Sequence, residues 1–97
     1  MDPRTENGMF KYVRVGDEIR FSEGGMYDEH RKLLKEGEVA KSAGSVGTFV
    51  FPGGSCPSYW KFYSRESMTL KVYAAEDDEV LITKFLGLPR MKESWEA

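Results

Sequence analysis

Met9-Phe10-Lys11-Tyr12-Val13-Arg14-Val15-Gly16-Asp17-Glu18-Ile19-Arg20-Phe21 is the stretch that decides the fold. Strict alternation puts Phe10, Tyr12 and Arg14 on one face of a strand and Lys11, Val13 and Val15 on the other. Gly16-Asp17 supplies a two-residue turn in which glycine takes positive φ without steric cost. Glu18-Ile19-Arg20-Phe21 resumes the alternation, with Ile19 and Phe21 on a shared face. The stretch predicts a β-hairpin. Ahead of it, residues 1–8 are polar and rich in chain breakers and read as a flexible lead-in.

Beyond the hairpin, Gly24-Gly25 breaks the strand pattern, and residues 27–36 read as a short helix. Asp28 is placed to cap its start and Gly37 to close it. Leu33 and Leu34 form its buried stripe, with His30 one turn earlier at the edge of that apolar face. Residues 39–51 form a second β region broken by small side chains, strongest over Thr48-Phe49-Val50-Phe51. A Gly/Pro/Ser loop over 52–58 leads back into Tyr59-Trp60-Lys61-Phe62-Tyr63, a returning strand that turns Trp60 and Phe62 toward the core. Residues 64–73 read as extended or irregular. Glu76-Asp77-Asp78-Glu79 opens a second helix, with its acids where the macrodipole favours negative charge. Leu81, Ile82, Phe85 and Leu86 form its apolar stripe, and Gly87-Leu88-Pro89 stops it.

The predicted order is β-β-α-β-β-(β)-α. It describes an α+β fold in which two helices pack on a mixed or antiparallel sheet of about five strands. Ninety-seven residues suit a single domain, with an ordered core over 9–88 and flexible ends at 1–8 and 89–97.

Composition narrows the function classes. Fourteen basic against sixteen acidic residues leave a net charge of -2, which lacks the electrostatic footprint of a dedicated nucleic-acid binder, so nucleic acid is not an expected partner. One cysteine, Cys56, excludes an internal disulfide and a four-cysteine zinc site. The acidic run at 76–79 lacks the glycine and the alternating ligands of a calcium loop. Neither a metal nor a cofactor is expected. No apolar run has the length of a signal sequence or a bilayer span, so the expectation is a cytoplasmic chain with no membrane partner.

Few residues carry candidate chemistry. Cys56 lies in a Gly/Pro/Ser loop and reads as an ordinary free thiol, not a nucleophile. Tyr59 to Arg65 interleaves aromatic and basic side chains, as a single-strand platform does, but alternation sends half of them inward. His30 is the only imidazole, and both burial and a helix N-terminus would disfavour its cationic form. Segments of small residues, Ser42-Ala43-Gly44-Ser45 and Ser67-Met68-Thr69, offer backbone N–H groups and hydroxyls to an anion.

Gly8-Met9-Phe10-Lys11-Tyr12-Val13 resembles the opening strand of the Janus/Ocnus family, which includes the small phosphohistidine phosphatases. The resemblance continues in order through Glu18 to Phe21, His30, Ser42-Ala43-Gly44, Thr48 to Tyr63, Ser67-Met68-Thr69 and Asp78 to Phe85. It departs at the family's Gly-Gly-Gly-Arg turn, where Gly44-Ser45-Val46-Gly47 carries no arginine, and at Glu66-Ser67, where the family has Tyr-Ser. The chain is also similar to short bacterial and phage proteins of no assigned role. These share a histidine, then Ser-Ala-Gly, then a segment like Ser67-Met68-Thr69-Leu70, then an acidic pair like Glu76-Asp77.

The phosphatase resemblance implies His30 as catalytic base or phosphoryl acceptor and Lys11 as an anion-binding cation. Gly44, Ser67, Met68 and Thr69 would hold the phosphate. The implied ligand is a phosphorylated protein or another anion. The alternative expectation is a non-enzymatic accessory protein that acts by binding a protein partner.

Overall fold

The computed structural model describes residues 2–23, 29–51, 53–54 and 56–91 of the chain. The predicted hairpin is present: Gly8–Val15 (β1) and Glu18–Phe21 (β2) pair antiparallel around Gly16, whose φ is 62°. Ser42–Phe49 (β3) runs antiparallel to β1, placing Lys11 opposite Ser45 and Tyr12 opposite Gly44. Tyr59–Ser64 (β4) pairs antiparallel with β3, with a register shift at Ser45/Val46. The sheet order is β2-β1-β3-β4. Residues 89–91, expected as tail, lie along β4. Trp60 N–H donates to the Pro89 carbonyl at 3.0 Å, and Met91 N–H donates to the Trp60 carbonyl at 2.7 Å.

Two expectations need correction. The sheet of about five strands is a four-stranded antiparallel sheet plus a separate two-stranded ladder, Glu66–Ser67 (β5) with Val72–Tyr73 (β6). A tight turn makes that ladder. Ser67 accepts the Lys71 N–H on its carbonyl (2.8 Å) and the Leu70 N–H on its hydroxyl (3.2 Å), and Lys71 takes a left-handed φ of 57°. The chain thus folds back on itself instead of adding a strand to β4.

The second correction concerns the helices. Among the described residues there is one α-helix, Asp78–Leu86 (α1), and the helix expected over 27–36 is a single 3-10 turn, His30–Leu33. Tyr27 and Asp28, the expected start and cap, lie outside the described residues. A helix this short is marginal by itself, and here tertiary partners take the groups a further turn would need. The Arg20 guanidinium donates to the Leu33 carbonyl at 2.9 Å, and the Glu38 carboxylate accepts the Lys35 N–H at 2.6 Å. Gly37 has the expected positive φ, 83°, but closes a turn and not a helix.

Alternation sorts the side chains between two faces of the sheet. On one, Phe10, Tyr12, Ile19, Val46 and Trp60 pack with Ile82 and Leu86 of α1. The expected stripe of α1 therefore points inward, apart from Phe85, which is 41% exposed. Gly87 ends α1 in a left-handed conformation (φ 68°), its N–H on the Thr83 carbonyl. On the opposite face Val13 and Ala43 form a smaller cluster with Ala40, roofed by Leu33 and Leu34 of the 3-10 segment and by Leu70 and Val72 of the β5–β6 ladder. Among the described residues this roof covers the Val13 half of the face; Phe49, Tyr59 and Lys61, all half-buried, occupy the other half.

Candidate functional site

The roof delivers His30 to the sheet. Its Nε2 lies 2.7 Å from the Gly44 carbonyl oxygen, and the residue is 6% exposed. A carbonyl only accepts, so this bond places the ring proton on Nε2 and leaves Nδ1 with a lone pair. Burial holds the imidazole pKa below its ordinary value, and the nearby Lys11 ammonium adds to that lowering against the opposing pull of the Gly44 carbonyl. The result is a neutral histidine, fixed in tautomer and next to a cation. Lys11 is itself fixed at the backbone: its N–H donates to the Ser22 hydroxyl (3.1 Å) and its carbonyl accepts the Ser22 N–H (2.9 Å). Ser45, the register partner of Lys11, is 2% exposed on the same face.

Gly44 has to be glycine for packing reasons. A Cβ there would stand 2.6 Å from the Ser64 carbonyl oxygen and 3.1 Å from the Tyr12 ring. The Tyr12 ring thus lies against Gly44 from the α1 side while the Gly44 carbonyl holds His30 from the roof side.

Tyr12 is anchored in turn by a group that sequence reading assigned only to a helix N-terminus. Asp78 is fully buried, and its carboxylate accepts from Tyr12 Oη (2.7 Å), Ser42 Oγ (2.7 Å), Arg14 Nη1 (3.1 Å) and the Ala75 N–H (2.9 Å). Arg14, with its side chain 3% exposed, also reaches Asp77 (2.8 Å), Asp17 (2.9 Å) and the Gly16 carbonyl (2.7 Å). Desolvation, reinforced by the Asp78 carboxylate, drives the Tyr12 phenol pKa far up. The Arg14 guanidinium holds Asp77 below the usual carboxylate range. A signal for this cluster was present: alternation puts Arg14 on the same face as Phe10 and Tyr12, and a buried guanidinium requires a buried carboxylate.

Of the expected site residues, the structure brings together His30, Gly44 and Lys11. Ser67 lies in β5, which packs against β3, but among the described residues no hydrogen bond joins Ser67, Met68 or Thr69 to His30, Gly44 or Lys11. Ser67 is buried and closes the β5–β6 turn, whereas Met68 is 84% exposed. A cavity of about 400 Å³ at that turn is lined by Glu66, Ser67, Met68, Lys71, Val72 and Tyr73. A larger one, about 630 Å³, lies between β2 and α1 against Ile19, Leu81 and Phe85. Cys56 is exposed and unpaired as a thiol. Among the described residues, no three His, Cys, Asp or Glu side chains are grouped to hold a metal ion, and no helix is long and apolar enough to cross a membrane. No family model matches the chain, and neither does any curated protein or solved structure.

Proposed function

We propose that the corner where His30, Lys11 and Gly44 meet, three of the residues that the resemblance to phosphohistidine phosphatases implies, is a phosphoryl-binding site, with Ser45 beside them. The observation that carries this reading is the 2.7 Å bond from His30 Nε2 to the Gly44 carbonyl. It sets an imidazole in one tautomer beside a lysine on a sheet face, with Nδ1 left as a proton acceptor. Lys11 supplies charge for a phosphate oxygen, and a neutral His30 avoids competing with that lysine for the same counter-ion.

In hydrolysis of a phosphoramidate, Nδ1 would take a proton from water as the water oxygen attacks phosphorus. The P–N bond then breaks and the leaving nitrogen takes a proton, giving inorganic phosphate and the free amine or imidazole. The test is phosphate release from a phosphohistidine or phospholysine peptide. His30→Ala should abolish release while the variant still folds, as judged by its circular dichroism spectrum. Release undiminished in that variant removes His30 from the chemistry.

A second reading, a non-enzymatic protein-binding module, draws on a different observation. The β5–β6 turn exposes Met68 (84%) and Tyr73 (73%) around the cavity there, and exposed large apolar side chains grouped in this way are features of interaction surfaces. That reading predicts no turnover, and it predicts partner binding sensitive to Met68→Ala and indifferent to His30→Ala.

A further inference from the structure

The sheet ends at β2 on one side and at β4 on the other, and the two ends differ. On β4 the Trp60 N–H and carbonyl are bonded to Pro89 and Met91. On β2, the Ser22 N–H donates to the Lys11 carbonyl, and bonded pairs alternate along an antiparallel ladder. Glu18 and Arg20 therefore turn their peptide groups toward β1, and Ile19 and Phe21 turn theirs away from the sheet. Among the described residues no strand takes those outward groups. An edge of this kind is a template for a further strand.

We propose that a second copy of this chain supplies that strand. The two copies form a two-fold dimer in which β2 of one protomer pairs antiparallel with β2 of its partner, Ile19 opposite Ile19. The Ile19 side chain stays in the core, where it belongs, and the contact at this position is made by its peptide groups. The interface is separate from the phosphoryl corner and does not depend on it.

Charge selects both the occupant and the register. Outward-facing residues must stand opposite outward-facing residues, which leaves few alignments. With Ile19 at the two-fold, Glu18 of each protomer stands opposite the partner's Arg20, so an opposite-charge cross-strand pair forms twice. The Glu18 side chain is 64% exposed and so is accessible to the partner. Sliding one strand by two residues would instead set Arg20 against Arg20.

The α1 face of the same edge agrees with that register. The cavity of about 630 Å³ between β2 and α1 is lined by Asp17 and Lys84, together with Leu81 and Phe85. The helix runs alongside β2 in the same sense. Near its start Asp77 shares Arg14 with Asp17, and near its end the Phe85 ring lies 5.3 Å from the Phe21 ring. Lys84 is therefore at the Phe21 end of the cavity and Asp17 at the other. The proposed alignment puts Asp17 opposite the partner's Phe21, and hence on the side of the partner's Lys84. One two-fold axis matches opposite charges on both faces, with Phe85, 41% exposed, brought toward its own copy's apolar cleft.

Sedimentation equilibrium of the full chain tests this. The expected result is a concentration-dependent species of twice the 11.1 kDa chain mass; a monomer at every concentration up to about 1 mM overturns the proposal. Glu18→Lys and Lys84→Glu should each weaken the dimer about tenfold. Mixing the Lys84→Glu chain with an Asp17→Lys chain should restore it, because positions 17 and 84 then again carry opposite charges across the two-fold. A dimer indifferent to these substitutions overturns the proposal. Asp17→Lys also removes a partner of Arg14, so amide exchange is the second readout should that variant not fold. The Ile19 and Phe21 amides should gain protection as the wild-type chain dimerises, and a dimer that leaves both unprotected places the contact elsewhere and overturns the proposal.

Discussion

His30 sits where three requirements meet: a carbonyl that takes its Nε2 proton, an apolar roof that removes it from water, and a lysine that penalises its charge. Its native pKa lies below the unfolded value of about 6.5, so between those two pKa values the unfolded chain binds more protons than the folded one. Stability from this group is therefore fully present above about pH 6.5 and declines as the pH falls toward the native pKa. His30→Gln should flatten that part of a Tm-against-pH curve; an unchanged slope would mean that the ring is not held neutral by the fold. Gly44 gives a second prediction at this scale. Gly44→Ala drives a Cβ into the Ser64 carbonyl and the Tyr12 ring and should cost about 1–3 kcal/mol in denaturant unfolding, and it should displace the His30 ring resonances. A destabilised variant with the His30 signals in place would separate packing at Gly44 from ring positioning. Sequence reading singled out His30 as the only imidazole and Gly44 within a small-residue segment, and it reached Lys11 through the family resemblance. It could not see that Ser67 spends its hydroxyl and carbonyl on a turn, since that depends on Lys71 adopting a positive φ, which lysine seldom does.

At the scale of elements, α1 is bound to the sheet by one buried carboxylate as much as by its apolar stripe. Asp78→Asn keeps the shape but leaves the Arg14 charge short of its buried partner and Tyr12 short of its acceptor. The expected loss is about 3 kcal/mol in chemical denaturation, and Tyr12→Phe should cost less, about 1 kcal/mol. Near-equal costs for the two would point to the phenol, and not the ion pair, as the main anchor. The hairpin, β4 and α1 were readable because each has local punctuation: Gly16-Asp17, the 52–58 loop, and Gly87; β3 was misjudged, since the small residues expected to break it form the strand and Val50-Phe51 lie beyond its end. The 27–36 helix was misread because periodicity sees Leu33 and Leu34 but not Arg20 and Glu38. Those two charges form a bidentate pair, at 2.6 and 2.8 Å, that clasps the Leu33 carbonyl and the Lys35 N–H. Arg20 draws the Glu38 carboxyl down to a pKa of about 2. The clasp therefore strengthens stability above the unfolded carboxyl pKa and is lost only as the pH falls through about 2.

For the whole molecule, the two faces of the sheet do different work. The α1 face holds the aromatic core, and the other face carries the smaller Val13 cluster under its roof, with the proposed phosphoryl corner beside it. A chain of contacts crosses between them: Asp78 holds Tyr12, the Tyr12 ring rests on Gly44, and the Gly44 carbonyl holds His30. Phosphate binding is the claim on which the functional account depends, and linkage makes it visible at a single ring. A phosphate beside His30 must raise its pKa, and the bond to Gly44 requires the proton on Nε2. The most direct measurement is the ¹⁵N resonances of the His30 imidazole across a pH titration, with and without inorganic phosphate. The account predicts an Nε2-protonated neutral ring in the free protein and an upward-shifted titration when phosphate is present. A ring protonated on Nδ1, or a titration that phosphate leaves unmoved, would contradict it.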